Sequence, residues 1–441
     1  MINFFKDKDK NFIELLKGSS ISLIVRLMGM AFGYLAMIFI TTNYGAEEWG
    51  IYSLCFTILS ITILLPKFGF DNSLVRIITE LNTFNDKKQI ITVVFKSLII
   101  SAALSLVVIF AINAFSEVLA KDILNQKQIE PYLMIVGYAI FPMTVLVIIS
   151  AIFQALKKPM LFMLFQTTLI NIVFFVLLVI FHWQEMEFNI FKLYLYSISI
   201  TLFFGALLVM FTLWKKQSTL TLRKNIYGYR KIVNISIPML LSSSFALLMG
   251  WSDILMLSFF KTTKDIGIYN SSLKLAALSG ITLIAINAIA TPKFVEFYSK
   301  NDIEGLKETV KKSTKMIFSL TTPVLFVLIV FSKKILLFLG DEFVVGYLAL
   351  VYLCISRFIN AISGSVGYIM QMTDQQKTYQ NVIIIAFLIN LALNFILIPE
   401  YSYNGAAIAS SVAMIFWNVT LVFLIKKRLG FWTIYIPFLF K

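Results

Sequence analysis

The sequence predicts an all-α integral membrane protein with twelve transmembrane helices arranged as two bundles of six. The composition is the first observation: the 441-residue chain is 59% hydrophobic and 14% charged, with a mean hydropathy of +0.86. A soluble domain is about 45–50% apolar and about 25% charged. The second and third observations are recurring apolar runs of about 20 residues, the length that spans a bilayer, and a one-sided distribution of basic residues.

The apolar runs predict the span boundaries. Charged or turn-forming residues separate one run from the next. The twelve expected spans are 19–42, 49–66, 90–115, 131–154, 160–181, 193–214, 232–259, 266–291, 316–332, 346–372, 378–398 and 405–425.

Basic residues predict the orientation. Connections on the N-terminal side of the membrane carry 27 Lys and Arg, whereas those on the opposite side carry 7. Because basic loops stay in the cytoplasm, we expect both termini to be cytoplasmic. The net charge of +15 is explained by this asymmetry, so nucleic acid is not expected as a partner.

The chain divides into two predicted lobes, residues 1–222 and 223–441, at the basic segment KKQSTLTLRKNIYGYRK (215–231). The tripeptide GIY occurs at 50–52 and 267–269, and PKF occurs at 66–68 and 292–294. Each GIY opens the second expected helix of its lobe, and each PKF closes it. This register favours a duplicated six-helix lobe, with the two copies related by an axis along the membrane normal.

Several ionisable residues fall inside the expected spans. Arg26, Lys96, Lys274 and Arg357 are the basic ones, and Asp253 is the acidic residue well inside a span. Charges in a bilayer are costly and usually face a bundle interior or an aqueous cavity. Snorkelling to the interface is the alternative for Lys96 and Arg26.

Helical spacing places some of these charges on polar faces. Two stripes of small and polar residues are expected, one formed by Ser22, Arg26, Gly29 and Gly33, and one by Arg357, Asn360, Gly364, Gly367 and Gln371. Asn270 and Lys274 are four residues apart and share a face. Asp253 and Lys274 lie near one end of consecutive spans, so an ion pair is predicted, either as a lock between helices or as a gate.

This excess of cations predicts an anionic substrate. Arginine binds phosphate through two hydrogen bonds and lysine binds it as a point charge. The expected substrate-binding residues are Arg26, Asp253, Asn270, Lys274, Arg357, Asn360 and Gln371.

Sequence motifs for catalysis and for ATP binding are absent. The chain contains no G-x-x-x-x-G-K-[ST] loop, no H-E-x-x-H motif and no nucleophile elbow. We therefore expect no enzyme activity, no cofactor and no metal centre, and the nature of any coupling ion, H⁺ or Na⁺, stays open.

Three stretches resemble the multidrug/oligosaccharidyl-lipid/polysaccharide exporter superfamily, in particular its Wzx-type polysaccharide flippase branch. These stretches are YGAEEWGIYSLCFTILSI, KFGFDNSLVRIITE and GWSDILMLSFFKTTKDIGIYNSSLKL. The resemblance implies a V-shaped, MATE-like pair of bundles with alternating access. It also implies an undecaprenyl-pyrophosphate-linked oligosaccharide as substrate, such as an O-antigen unit of lipopolysaccharide. The stretch SSISLIVRLMG is similar to the first helix of lipid II flippases, which implies a pyrophosphate contact for Arg26.

The resemblance implies a bacterial inner membrane as the location and membrane lipids as neighbours, with a polysaccharide polymerase and chain-length proteins as further candidate partners. Two other functions are kept open. A cation-coupled multidrug exporter of the same superfamily would need a buried carboxylate, for which Asp253 is the candidate. A membrane-embedded polymerase or acyltransferase would need a large outer loop or an intramembrane histidine, and the sequence offers neither.

Overall fold

The computed structural model describes residues 10–83, 86–186, 188–214 and 227–435, and these residues are almost entirely helical. In the first part of the chain the helices are α1 (Lys10–Thr62), α2 (Leu64–Lys67), α3 (Phe70–Thr83), α4 (Lys87–Ala114), α5 (Ser116–Val118), α6 (Glu130–Ala155), α7 (Pro159–Met163), α8 (Leu169–Trp183) and α9 (Ile190–Trp214). In the second part they are α10 (Tyr229–Phe260), α11 (Thr263–Ala277), α12 (Gly280–Ser299), α13 (Ile303–Val330), α14 (Ser332–Leu337), α15 (Tyr347–Ser363), α16 (Val366–Met372) and α17 (Gln376–Leu429).

Membrane-spanning capacity follows from the length and composition of these helices. Within the described residues, eight helices are long and apolar enough to cross a membrane. A ninth span results if α11 and residues 280–287 of α12, which meet at 42°, count as one bent span. The predicted all-α membrane fold is confirmed, and the number twelve stays a prediction.

Two of the longest helices contain an interruption. Gly45 lies inside α1 with φ 82° and ψ −175°, a conformation that favours glycine. Ser402 interrupts α17 with φ 50° and ψ −133°. Both interruptions fall in connections that the sequence predicts, at 43–48 and 399–404. With 53 and 54 residues, α1 and α17 are each long enough for two passes at about 20 residues per pass.

The chain forms two compact units. Unit 1 contains the described residues up to Phe39 together with those of Cys55–Leu248, and unit 2 contains Ile40–Leu54 and the described residues from Met249 onward. The segment 40–54 therefore packs with unit 2 although unit 1 contains the residues on both sides of it. The predicted lobe boundary at 222 and 223 lies outside the described residues.

Each unit has its own apolar core. The core of unit 1 includes Phe70, Ile77, Phe153, Phe165 and Ile232. The core of unit 2 includes Phe294, Val310, Ile369, Met370 and Leu421. These aliphatic and aromatic clusters fix the helices on which the polar residues of the next section lie.

Candidate functional site

Asp253 is the centre of a buried polar cluster in unit 2. Its side chain is 3% exposed. Its Oδ1 accepts hydrogen bonds from Nδ2 of Asn390 at 3.0 Å and from Nδ2 of Asn394 at 2.7 Å. Its Oδ2 accepts hydrogen bonds from the hydroxyls of Tyr269 and Ser410. All four donors are neutral groups.

Helical spacing explains how α17 supplies most of this cluster. Asn390 and Asn394 are four residues apart, so their amides lie on one face of the helix. Ser410 comes from the part of α17 that follows the interruption at Ser402. A second layer supports the first, because Ser252 Oγ donates to Asn390 Oδ1 at 2.8 Å. The cluster thus joins α10, α11 and both parts of α17.

This cluster offers oxygen atoms but no second acid. Among the described residues, no group of three or more His, Cys, Asp or Glu side chains is placed to hold a metal ion. Within the described part of the chain, Asn394 Oδ1 is buried and accepts no hydrogen bond. A buried carboxylate beside amide and hydroxyl oxygens can take up a proton, or it can ligate a small hard cation.

Lys274 lies on a different face of α11 and does not reach Asp253. Among the ion pairs of the described residues, none joins these two side chains, so the predicted pair is wrong. Tyr269 is the residue of α11 that binds Asp253. Tyr269 and Lys274 are five positions apart in the sequence, which places the two about 140° apart around the helix.

Lys274 instead points towards the segment 40–54. Its Nζ lies 4.4 Å from the centroid of the Trp49 ring, and the lysine is half-buried. Asn270, on the same face, donates from Nδ2 to Ser53 Oγ. Trp49 and Ser53 are also four residues apart. Two matched faces therefore meet here, one on α11 and one on the segment.

Glycines let these two faces approach closely. A Cβ atom on Gly50 would overlap the carbonyl oxygen of Thr263, and one on Gly267 would overlap the carbonyl oxygen of Ala46. Gly50 and Gly267 open the two GIY tripeptides of the predicted repeat. The repeated tripeptides thus cross each other inside unit 2.

Arg357 is half-buried in unit 2, on α15. Its Nη1 would lie 3.7 Å from a Cβ added to Gly280, so the guanidinium borders the start of α12. Asn360 donates from Nδ2 to Asn418 Oδ1 at 2.9 Å, which ties α15 to α17. Gln371 donates to the Gly367 carbonyl of its own helix at 3.1 Å.

The stripe predicted for residues 357–371 does not run along one helix. α15 ends at Ser363, Gly364 follows with φ 74° and ψ −146°, and α16 begins at Val366. A Cβ on Gly364 would overlap the side chain of Thr314. The glycine therefore provides a break and a close helix contact, and the helical register that related Arg357 to Gln371 is lost there.

Arg26 belongs to unit 1, and its side chain is exposed. The glycines of its predicted stripe are packing positions, since a Cβ on Gly29 would overlap Thr168 and one on Gly33 would lie 3.1 Å from Asn171 Nδ2. Asn171 also donates to the Gly29 carbonyl at 2.9 Å. The stripe is thus a helix–helix contact with an exposed arginine beside it.

The sequence interpretation missed Trp49, Tyr269, Asn390, Asn394 and Ser410. The two asparagines carried a usable signal, because amides four residues apart in an apolar helix need buried partners. The tyrosine and the tryptophan carried none, since aromatic residues are frequent throughout this chain.

Fold and site together define a multi-pass helical membrane protein with ionisable groups inside apolar helices, as in membrane transporters. The structure is similar to an inward-facing MATE-family multidrug resistance transporter of the MOP superfamily, with a TM-score of 0.77, 15% identity and coverage of 93% of this chain and 98% of that one. It is also similar to the lipid II flippase MurJ in an inward closed conformation, with a TM-score of 0.74, 14% identity and coverage of 93% and 87%.

Sequence comparison gives the family. The chain belongs to the family described as "Polysaccharide biosynthesis protein", which matches residues 15–298, and the MatE family matches residues 238–396. A curated relative is the "Probable low-salt glycan biosynthesis flippase Agl15" of Haloferax volcanii, 24% identical over 199 residues. That alignment covers 45% of this chain and 42% of the relative. The resemblance to the exporter superfamily and the MATE-like fold are confirmed.

Proposed function

We propose that the protein is a flippase that moves an undecaprenyl-pyrophosphate-linked oligosaccharide from the cytoplasmic to the outer leaflet of a bacterial inner membrane. The match to the polysaccharide biosynthesis family carries this proposal. The matched region, 15–298, includes Arg26, Asp253 and Lys274. The termini would be cytoplasmic, as the basic loops indicate, and a polysaccharide polymerase and chain-length proteins would use the product.

Two cations of unit 2 support an anionic substrate. Lys274 and Arg357 are half-buried on α11 and α15, and both are proposed to bind the diphosphate. Arginine and lysine bind phosphate more tightly in a partly desolvated site than in water. A substrate that binds one conformation more tightly than another shifts the protein towards that conformation. Arg26 of unit 1 is a further candidate phosphate ligand.

The Asp253 cluster is proposed as the site of ion coupling. Its carboxylate is buried among neutral donors, so a bound H⁺ or Na⁺ would neutralise it. Because α17 and α11 both donate to the carboxylate, loss of its charge would loosen the contacts between these helices. Ion binding would thus change the packing of unit 2.

The test is the location and amount of the lipid-linked oligosaccharide in host cells that lack this protein. We expect accumulation on the cytoplasmic leaflet and loss of surface polysaccharide. Cells that carry Arg357→Ala should accumulate the same lipid although the variant inserts in the membrane at wild-type levels. Absence of accumulation in the deletion strain would overturn the proposal.

One observation favours a second candidate, a cation-coupled multidrug exporter. The MatE match over 238–396 includes Asp253 and its two asparagines, and such exporters need a buried carboxylate. The deletion strain would then become sensitive to cationic dyes and would keep normal surface polysaccharide. Dye accumulation measured beside the lipid assay separates the two functions.

A further inference from the structure

Trp49 is an unusually enclosed tryptophan with a cation on its ring. Its side chain is 1% exposed, and Lys274 Nζ lies 4.4 Å from its ring centroid. The ring of Tyr52 stacks on it at 5.4 Å and 21°. The interactions of the indole therefore involve its faces.

The indole N–H takes no part in this arrangement. Trp49 Nε1 is buried and has no hydrogen-bond partner in the described part of the chain. Buried tryptophans usually find an acceptor for this group. The observed contacts of Trp49 with other side chains therefore use the ring face, and tryptophan binds a cation there more strongly than tyrosine or phenylalanine does.

The segment 40–54 does not need this contact to stay in unit 2. The crossing of Gly50 and Gly267 brings the backbones together, and Asn270 donates to Ser53. Glu342 accepts a hydrogen bond from the Ala46 N–H and forms an ion pair with Lys264 at 3.0 Å. These contacts hold the segment in unit 2, and none of them involves Lys274.

We propose that Trp49 is a resting partner of Lys274, which the diphosphate of the substrate displaces. The inference rests on the proposed function, because it assigns Lys274 to an anion. A phosphate oxygen attracts the ammonium more strongly than an aromatic ring does, since it carries formal charge and accepts a hydrogen bond. Substrate binding would thereby exchange one contact between α11 and the segment 40–54 for a contact with the ligand. Trp49 is a positioning residue, because its ring competes with the diphosphate for the ammonium of Lys274.

The experiment is calorimetric titration of the purified full-length protein in detergent with inorganic pyrophosphate. Trp49→Leu removes the competing ring, so we expect the affinity to rise by about 2- to 30-fold, the range that one cation–π contact spans. Trp49→Phe keeps a weaker ring and should raise the affinity less. Lys274→Gln should lose most of the binding.

A matched control exists in the same unit. Lys333 Nζ lies 4.5 Å from the ring centroid of Tyr347, so Tyr347→Leu removes a similar contact elsewhere. This variant should leave pyrophosphate affinity unchanged. A merely structural role for Trp49 would lower the affinity in both Trp49 variants, because distortion of a site weakens binding.

The outcomes separate this inference from the proposed function. If Lys274→Gln reduces binding and neither Trp49 variant raises it, the exchange of partners is overturned while the anion site stands. If Lys274→Gln binds pyrophosphate as the wild type does, or if the wild type does not bind it, Lys274 is not an anion ligand and the inference falls. The lipid-accumulation assay is independent of both results. If Trp49→Leu does not fold, Trp49→Phe is the test: a rise in its pyrophosphate affinity supports the exchange of partners, and no rise overturns it.

Discussion

Polar side chains inside the apolar helices behave differently in the two units. In unit 1, Thr168 Oγ1 donates to the Val25 carbonyl at 3.0 Å, and Asn171 donates to the Gly29 carbonyl at 2.9 Å. These bonds tie single side chains to a neighbouring backbone. In unit 2, Asp253 collects four side-chain donors from two helices. Independent bonds hold helices together, whereas a network around one charge responds as a whole to the state of that charge.

The largest expected effect comes from removal of that charge. Asp253→Leu leaves four buried donors without their acceptor, and each unsatisfied donor costs roughly 1–3 kcal/mol. We expect a loss of about 4 kcal/mol or more in the free energy of unfolding, measured by thermal melting in detergent. The matched variant in unit 1, Thr168→Val, breaks one bond and should cost about 1 kcal/mol.

Equal losses for Asp253→Leu and Thr168→Val would contradict the contrast between the units. Asp253→Asn sharpens the measurement, because its amide oxygen still accepts hydrogen bonds. This variant should lose less stability than Asp253→Leu and should lose transport, as expected when the charge, rather than the shape of the side chain, serves function.

The close contact between the two GIY tripeptides is expected to give the next largest effect on stability. Gly267→Ala introduces a Cβ into the carbonyl oxygen of Ala46, and overpacking of this kind costs about 1–3 kcal/mol. Gly250→Ala is the control, since a Cβ there meets nothing within 4 Å. It should melt at or above the wild-type temperature, because alanine favours helix by about 1 kcal/mol over glycine. Equal melting temperatures for both variants would show that the crossing does not stabilise unit 2.

Local pattern predicted the membrane class, the breaks near Gly45 and Ser402, and the ionisable residues inside apolar runs. It failed where a partner depends on tertiary packing. The prediction that Asp253 pairs with Lys274 used only the depth of the two residues along their helices. It did not use the direction around α11, where Lys274 lies about 140° from Tyr269, the residue that contacts Asp253. The break at Gly364 was missed because a glycine at a packing position and a glycine at positive φ look identical in sequence.

The two arginines differ in exposure, and alanine substitutions at them are expected to affect different properties. Arg26 is exposed in unit 1, so Arg26→Ala should change the free energy of unfolding by less than about 0.5 kcal/mol. Arg357 is half-buried beside Gly280 in unit 2. Arg357→Ala should reduce transport at least tenfold, about 1.4 kcal/mol, because a proposed phosphate ligand is lost. Arg357→Lys keeps the charge and should recover part of the activity, whereas wild-type transport by Arg357→Ala would remove this residue from the site.

The smallest expected effect is the coupling between Asp253 and Lys274. An ion pair would make the double variant Asp253→Asn with Lys274→Gln less impaired than the two single variants predict. The structure gives the carboxylate four other partners and places the ammonium over Trp49. We therefore expect the changes in the free energy of unfolding to add within about 0.5 kcal/mol. A larger deviation from additivity would mean that the two groups meet in another conformation of the transport cycle, since in this one Asp253 of α10 contacts Tyr269 and Lys274 lies on a different face of α11.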